Sequence, residues 1–156
     1  MSRIELIASV SDHVVGRIPW NIKVGHGFAI TMEFGAPKLD NPDQGEWHFW
    51  VSACDWVLDD GTGSVITDTR LGLACETELL KVLGARTLSG FSIQDNRACL
   101  EFSNGWRLST RPYEDDMDWP EDETEQLLVF TPGRNIAVLM ANGRVQWEKM
   151  GKENAA

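Results

Sequence analysis

A chain of 156 residues, 42% hydrophobic and 24% charged, is long enough to bury a core without disulfide or metal staples and too apolar to be disordered in bulk. Its 24 acidic residues against 14 basic ones give a formal net charge of −10, which disfavours binding to nucleic-acid phosphates. No run approaches the roughly 18 apolar residues of a membrane span, and the opening stretch 1–12 is broken by Glu5 and Asp12, unlike a signal peptide.

Three widely spaced cysteines, Cys54, Cys75 and Cys99, make no disulfide framework and are expected as free core thiols. The expected location is the cytoplasm. The expected organisation is one α+β domain over 1–150, followed by a flexible tail over 151–156.

Residues 4–9 suit a short helix or a strand. The stretch 14–24 is mostly apolar and broken by Pro19. Residues 26–34 alternate, with Phe28, Ile30, Met32 and Phe34 on one face, and Gly25-His26-Gly27 reads as the turn before them. The stretch 35–45, with two prolines, is a loop. An aromatic run over 47–58 carries Trp47, Phe49, Trp50 and Trp56; read as one strand, its alternation places Trp50 and Trp56 on one face and Trp47 on the other, so at least one lies near the surface. Asp59-Asp60-Gly61-Thr62-Gly63 turns into a returning strand over 64–67.

The spacing of Leu79, Leu80 and Leu83 predicts a helix over 71–83, stopped by Gly84 and helped by Glu76 and Glu78 in its N-terminal half. Strands follow over 87–94, 97–102 and 106–110. They are separated by Asp95-Asn96 and Ser103-Asn104-Gly105, the strongest hairpin signal in the chain. Further strands over 127–131, 135–140 and 144–147 close the domain. The expected fold is therefore α+β: antiparallel β-meanders forming a curved sheet, with the 71–83 helix packed on one face. Ile30-x-Met32-Glu33-Phe34 echoes Ala98-x-Leu100-Glu101-Phe102, which leaves two similar halves as an open alternative.

The charge is concentrated. Glu114, Asp115, Asp116, Asp118, Glu121, Asp122, Glu123 and Glu125 stand together with no Lys or Arg among them. Without these eight the chain has 16 acids against 14 bases and is nearly neutral. A concentrated negative field favours a basic partner and steers its approach. Tyr113 and Trp119 are interleaved with the acids, and Pro120 stiffens the centre, as at interface anchors. The plainer alternative is a solvated acidic loop. The candidate partner-binding residues are thus Tyr113, Glu114, Asp115, Asp116, Asp118, Trp119, Glu121, Asp122 and Glu123.

Two longer patterns stand in the second half. Gly84-Ala85-Arg86-Thr87-Leu88-Ser89-Gly90-Phe91 leads into Leu100-Glu101-Phe102-Ser103-Asn104-Gly105-Trp106-Arg107-Leu108, and Phe130-Thr131-Pro132-Gly133 precedes Asn142-Gly143-Arg144-Val145-Gln146-Trp147. Together they resemble a family of small β-rich bacterial proteins with a Leu-x-Phe-x-Asp/Asn-Gly strand end, an acidic aromatic stretch and a closing Gly-x-x-x-x-Trp strand. Members are immunity-like proteins found beside polymorphic toxins. The resemblance covers roughly 84–147 and implies a protein partner, a basic toxin domain, and no catalytic residues or cofactor. The acidic segment here is longer than that family's.

Catalytic and metal motifs are sparse. His13, His26 and His48 are far apart, and no Cys-x-x-Cys or His-x-x-x-His pair occurs. On one continuous strand His48 and Cys54 would stand about 20 Å apart, too far for a dyad. Gly61-Thr62-Gly63 opens no helix and so makes a poor phosphate cradle. The expectation is a non-enzymatic protein without metal or cofactor that binds a protein partner, with an adaptor or small-ligand module as the alternative.

Overall fold

A computed structural model describes residues 2–69, 76–113 and 124–150. It opens on helix α1 (Arg3–His13). The Ser2 side chain caps its start, accepting the Glu5 N–H at 3.3 Å, and Glu5 lies in the first turn, where the helix dipole favours an anion. Leu6, Val10 and Val14, spaced four apart, form one stripe that is fully buried.

Eleven strands follow among the described residues. β1 (Trp20–Val24), β2 (Ile30–Pro37) and β3 (Gly45–Val51) form one antiparallel meander. β4 (Asp55–Asp59) and β5 (Val65–Asp68) form a hairpin. Helix α2 (Glu76–Leu83) precedes the meander β6 (Leu88–Gln94), β7 (Arg97–Phe102) and β8 (Arg107–Arg111). The last meander is β9 (Glu125–Phe130), β10 (Asn135–Met140) and β11 (Val145–Lys149).

These units pair into two antiparallel sheets. The first and last meanders join through β3 and β9 into a six-stranded sheet, β1-β2-β3-β9-β10-β11. The central third of the chain makes a five-stranded sheet, β5-β4-β8-β7-β6. The α+β class expected from the sequence is what the chain adopts, and its meanders are distributed over two sheets.

Alternate residues of both sheets meet in one core. Ile30, Met32, Phe34, Phe49 and Val129 come from the first sheet, and Trp56, Leu58, Leu100, Phe102 and Leu108 from the second. Phe49 meets Phe34 and Phe91 edge-on, with ring centroids 5.2 and 6.3 Å apart. α1 packs along β6, and Arg3 ties it down by donating to the backbone carbonyls of Asp95 and Gly143. α2 contributes Leu79 and Leu83 and packs near β1; the start of the expected 71–83 helix lies outside the described residues.

The aromatic run over 47–58 is not one strand. The chain leaves the first sheet after Val51, crosses at Ser52–Cys54 and enters the second sheet at Asp55. The crossing resets the alternation. Trp47 and Trp56 both face the core, and Trp50 is the outward one, 38% exposed. The expected pairing of Trp50 with Trp56 on one face is thereby corrected.

Where the sheets meet beside the crossing, one polar side chain bridges them. Leu139 pairs with Leu127 and Met140 with Glu125, so Gln126 is the extra residue of a β-bulge. It is completely buried. Its amide donates to the Asn96 carbonyl at 2.7 Å, and its oxygen accepts from the Thr110 hydroxyl. Thr110 in turn accepts the Ala98 N–H at 2.9 Å.

Candidate functional site

Tyr113 is the one sequence-predicted contact residue within the described chain. It follows β8 at the rim of the sandwich and is 36% exposed. Glu114, Asp115, Asp116, Asp118, Trp119, Glu121, Asp122 and Glu123 lie outside the described residues. Their two attachment points are well defined. On one side β8 ends at Arg111, whose guanidinium meets Asp68 at 3.6 Å. On the other Thr124 is buried, and its carbonyl accepts the Ala141 N–H at 2.9 Å. The acidic segment therefore leaves the middle of one sheet and enters the middle of the other.

The outer face of the five-stranded sheet carries a shallow cleft of about 470 Å³. Strand register explains its shape. Ser92 of β6 pairs with Cys99 of β7, Cys99 with Ser109 of β8, and Ser109 with Val57 of β4. Paired residues point to the same side, so Ser92, Cys99 and Ser109 form a low floor running across the strands, with the buried Val57 next in the row.

Two positions along β7, β8 and β4, in either direction, the outward residues are charged, whereas β6 contributes Gln94 on one side and Gly90 on the other. One wall holds Gln94, Arg97, Arg111 and Asp55. The other holds Glu101, Arg107 and Asp59. Four residues at about 3.3 Å each put the wall backbones about 13 Å apart, and the result is a trough.

The walls are partly self-neutralised. Arg107 donates to one oxygen of Asp59 from Nε at 3.4 Å and from Nη2 at 3.2 Å. That hydrogen bond holds the Arg107 guanidinium above its ordinary range. The same Asp59 oxygen accepts the Gly61 N–H at 2.7 Å, which fixes the carboxylate. Arg97 and Glu101 differ from the rest. Both are exposed, and neither side chain makes a hydrogen bond or ion pair among the described residues.

Cys99 was expected in a core; it lies instead in the trough floor, half-buried, with the Ser109 hydroxyl donating to its sulfur at 3.7 Å. Burial raises its pKa above the ordinary thiol value, against the lowering effect of the Ser109 hydrogen bond. Cys54 is a core thiol as expected, pushed up to about 12 by burial. Both are neutral thiols at physiological pH and poor nucleophiles.

A second polar cluster lies on the outer face of the six-stranded sheet. Glu33 is buried, accepts the Gly45 N–H at 3.0 Å and bonds His48 Nδ1 at 2.6 Å. The His48 ring meets Phe130 edge-on at 5.1 Å. His48 lies in β3 and Cys54 in the crossing between the sheets, so they do not share a strand. Among the described residues, no group of three His, Cys, Asp or Glu side chains is placed to hold a metal ion, and no helix is long and apolar enough to cross a membrane.

The trough was not singled out in the sequence. Its signal is the period-two series Arg97-x-Cys99-x-Glu101 and Arg107-x-Ser109-x-Arg111, which by itself resembles any solvated strand face. No family model, curated protein or solved structure matches the chain, so these features stand on the chain's own geometry.

Proposed function

We propose that the chain is an immunity-type binding protein of the bacterial cytoplasm. It neutralises a cognate toxin by covering that toxin's active or substrate-binding surface. The observation that carries this reading is the block of eight carboxylates within 114–125, without a single base, joined at both ends to the sandwich. A toxin that acts on an anionic substrate presents a basic surface, and a dense carboxylate segment competes for it. The neutral thiols support binding over catalysis by a cysteine nucleophile.

The test is a variant with Asp115, Asp116, Glu121 and Asp122 changed together to Asn or Gln. Partners captured from the native cell by affinity and identified by mass spectrometry supply the ligand. The variant keeps the fold, binds more weakly, and loses most of the salt dependence of association, because screened long-range attraction is what the four charges provide. Unchanged affinity and salt slope would overturn the assignment.

The trough favours a second reading, a small-ligand or adaptor module without catalysis. A polar cleft on a sheet face is the observation behind it.

A further inference from the structure

We infer that the outer edge of β11 is an interface between two copies of this chain, in which β11 pairs antiparallel with β11 of the second copy about a two-fold axis through Gln146. The inference goes beyond the toxin-binding reading and does not rest on it.

The edges of the two sheets differ in what lies beside them. α2 packs beside β1, and its Glu76 accepts the Val24 N–H at 3.0 Å. Leu88, at the start of β6, exchanges backbone hydrogen bonds with Gly16 and Arg17, and α1 packs along that strand. β5 is only four residues long. β11 is longer, and no described strand pairs with its outer side. The Met140 N–H donates to the Arg144 carbonyl and the Met150 N–H to the Arg134 carbonyl, so the even-numbered residues of this segment turn their backbone groups to β10. Val145, Trp147 and Lys149 turn theirs outward, without a hydrogen-bond partner among the described residues.

An unpaired edge accepts a further strand, and its side chains select which one. Arg144 and Glu148 flank Gln146 at equal spacing on the outer face of the sheet. Their neighbours on β10 are Met140 and Ile136, which are apolar, and neither charged side chain has a hydrogen bond or ion pair among the described residues. An antiparallel copy with Gln146 opposite Gln146 sets Arg144 of each chain opposite Glu148 of the other. The two amides on the axis donate to and accept from each other. On the inner face the same register sets Val145 opposite Trp147. Both are only partly buried against their own core, and a β-branched residue beside an aromatic is a favourable cross-strand pair. Lys149, the remaining charge on the strand, comes opposite Gly143, beside Arg3 and Asp95, one charge of each sign.

Other registers lose this match. A slide of two residues leaves Arg144 opposite Met150 or Gln146, and Glu148 opposite Gln146 or Asn142. A slide of one residue sets the outward backbone groups against groups already bonded to β10. The self-complementary order of the charges is what favours a second copy over an unrelated strand.

The test is sedimentation equilibrium of the full chain over concentrations from micromolar to millimolar. Each copy carries a formal net charge of −10, which opposes association at low ionic strength, so the measurement is made at physiological salt. The parent chain dimerises. Arg144→Glu and Glu148→Arg each set two like-charged pairs across the seam and weaken the dimer by about three- to thirtyfold, and the variant carrying both returns to within about threefold of the parent. Both side chains are exposed, so each variant keeps the parent's melting curve. Gln146→Cys treated with oxidised glutathione gives a disulfide-linked dimer, because residues opposed in a non-hydrogen-bonded pair have Cα atoms about 4.5 Å apart. Glu148→Cys and the parent chain do not.

A monomer at every concentration would overturn the inference and leave the edge to a strand of another protein. A dimer indifferent to both charge reversals would overturn it by placing the contact elsewhere. Crosslinking of Glu148→Cys in preference to Gln146→Cys would overturn the register and with it the charge argument.

Discussion

Replacing Gln126 with Leu tests whether the two sheets are locked by a polar bridge or simply by apolar packing. The two side chains are close in volume, so the change opens little cavity. What it removes is the acceptor of the Thr110 hydroxyl and the donor to the Asn96 carbonyl. Gln126 and Thr110 are fully buried, so water cannot easily replace the lost partners. Each orphaned buried group costs about 1–3 kcal/mol, which places the variant about 2–5 kcal/mol below the parent. That is a large share of the roughly 5–15 kcal/mol that holds a domain together.

Urea unfolding measures the loss. With a denaturant slope of about 2 kcal/mol per molar, the midpoint falls by roughly 1–2.5 M. Thr110→Val strands the other half of the bridge and also frees the Ala98 N–H. The double variant is therefore less damaged than the sum of the two singles, with a coupling of about 1 kcal/mol or more. A Gln126→Leu loss below about 1 kcal/mol, with additive singles, would refute the bridge and leave the packing of Phe34, Phe49 and Phe91 as the sole lock.

Glu33→Ala strands the Gly45 N–H and the His48 ring and lowers stability by about 3 kcal/mol in the same urea assay, whereas the paired replacement Glu33→Met with His48→Phe recovers the part due to His48 and leaves the Gly45 N–H unpaired. Cys54 gives a signed pH effect. Its folded pKa lies at about 12 against an ordinary 9.0, so the unfolded chain releases the proton first and stability falls as pH rises from 9 towards 12. Against a Cys54→Ala control, unfolding curves between pH 8 and pH 11 show an excess slope approaching about 1.4 kcal/mol per pH unit, and equal slopes would contradict the burial of the thiol. Trp119→Ala leaves the melting temperature nearly unchanged and weakens the partner complex by roughly thirtyfold, the loss for an interface anchor of about 2 kcal/mol; a large drop in melting temperature would make Trp119 a core residue instead.

Local chemistry made the second half of the chain readable. Asp95-Asn96, Asn104-Gly105 and Asn142-Gly143 each mark a turn between strands that pair as neighbours, and Leu79 and Leu83 mark the buried side of α2. The crossing at Ser52–Cys54 was hidden because apolar residues continue on both sides of it and no Gly or Pro interrupts them. α1 was legible only in part, since Leu6, Val10 and Val14 make a narrow stripe on an otherwise polar helix. The trough was the least visible feature. Ser92, Cys99 and Ser109 become a floor only when three strands are set in register, and that is a property of pairing, not of any one segment.

The joining of β3 to β9 has a consequence for how the chain comes off the ribosome. Val51 must wait for Leu127 before its outer edge is paired, and the intervening chain is the whole five-stranded sheet. At synthesis rates of about 5–20 residues per second, that edge is open for roughly 4–15 s. It carries Trp47, Phe49 and Val51, an aromatic and β-branched series of the kind that recruits other chains. The carboxylates that precede β9 are then the last residues to emerge before the edge closes, next to Leu127, Leu128 and Val129. Charge at that position acts as a gatekeeper for nascent protein, whatever it does in the mature one. Ribosome-bound chains halted with residue 124 just outside the exit tunnel should accordingly aggregate more when the acids are neutralised, and equal aggregation of the two would remove that role.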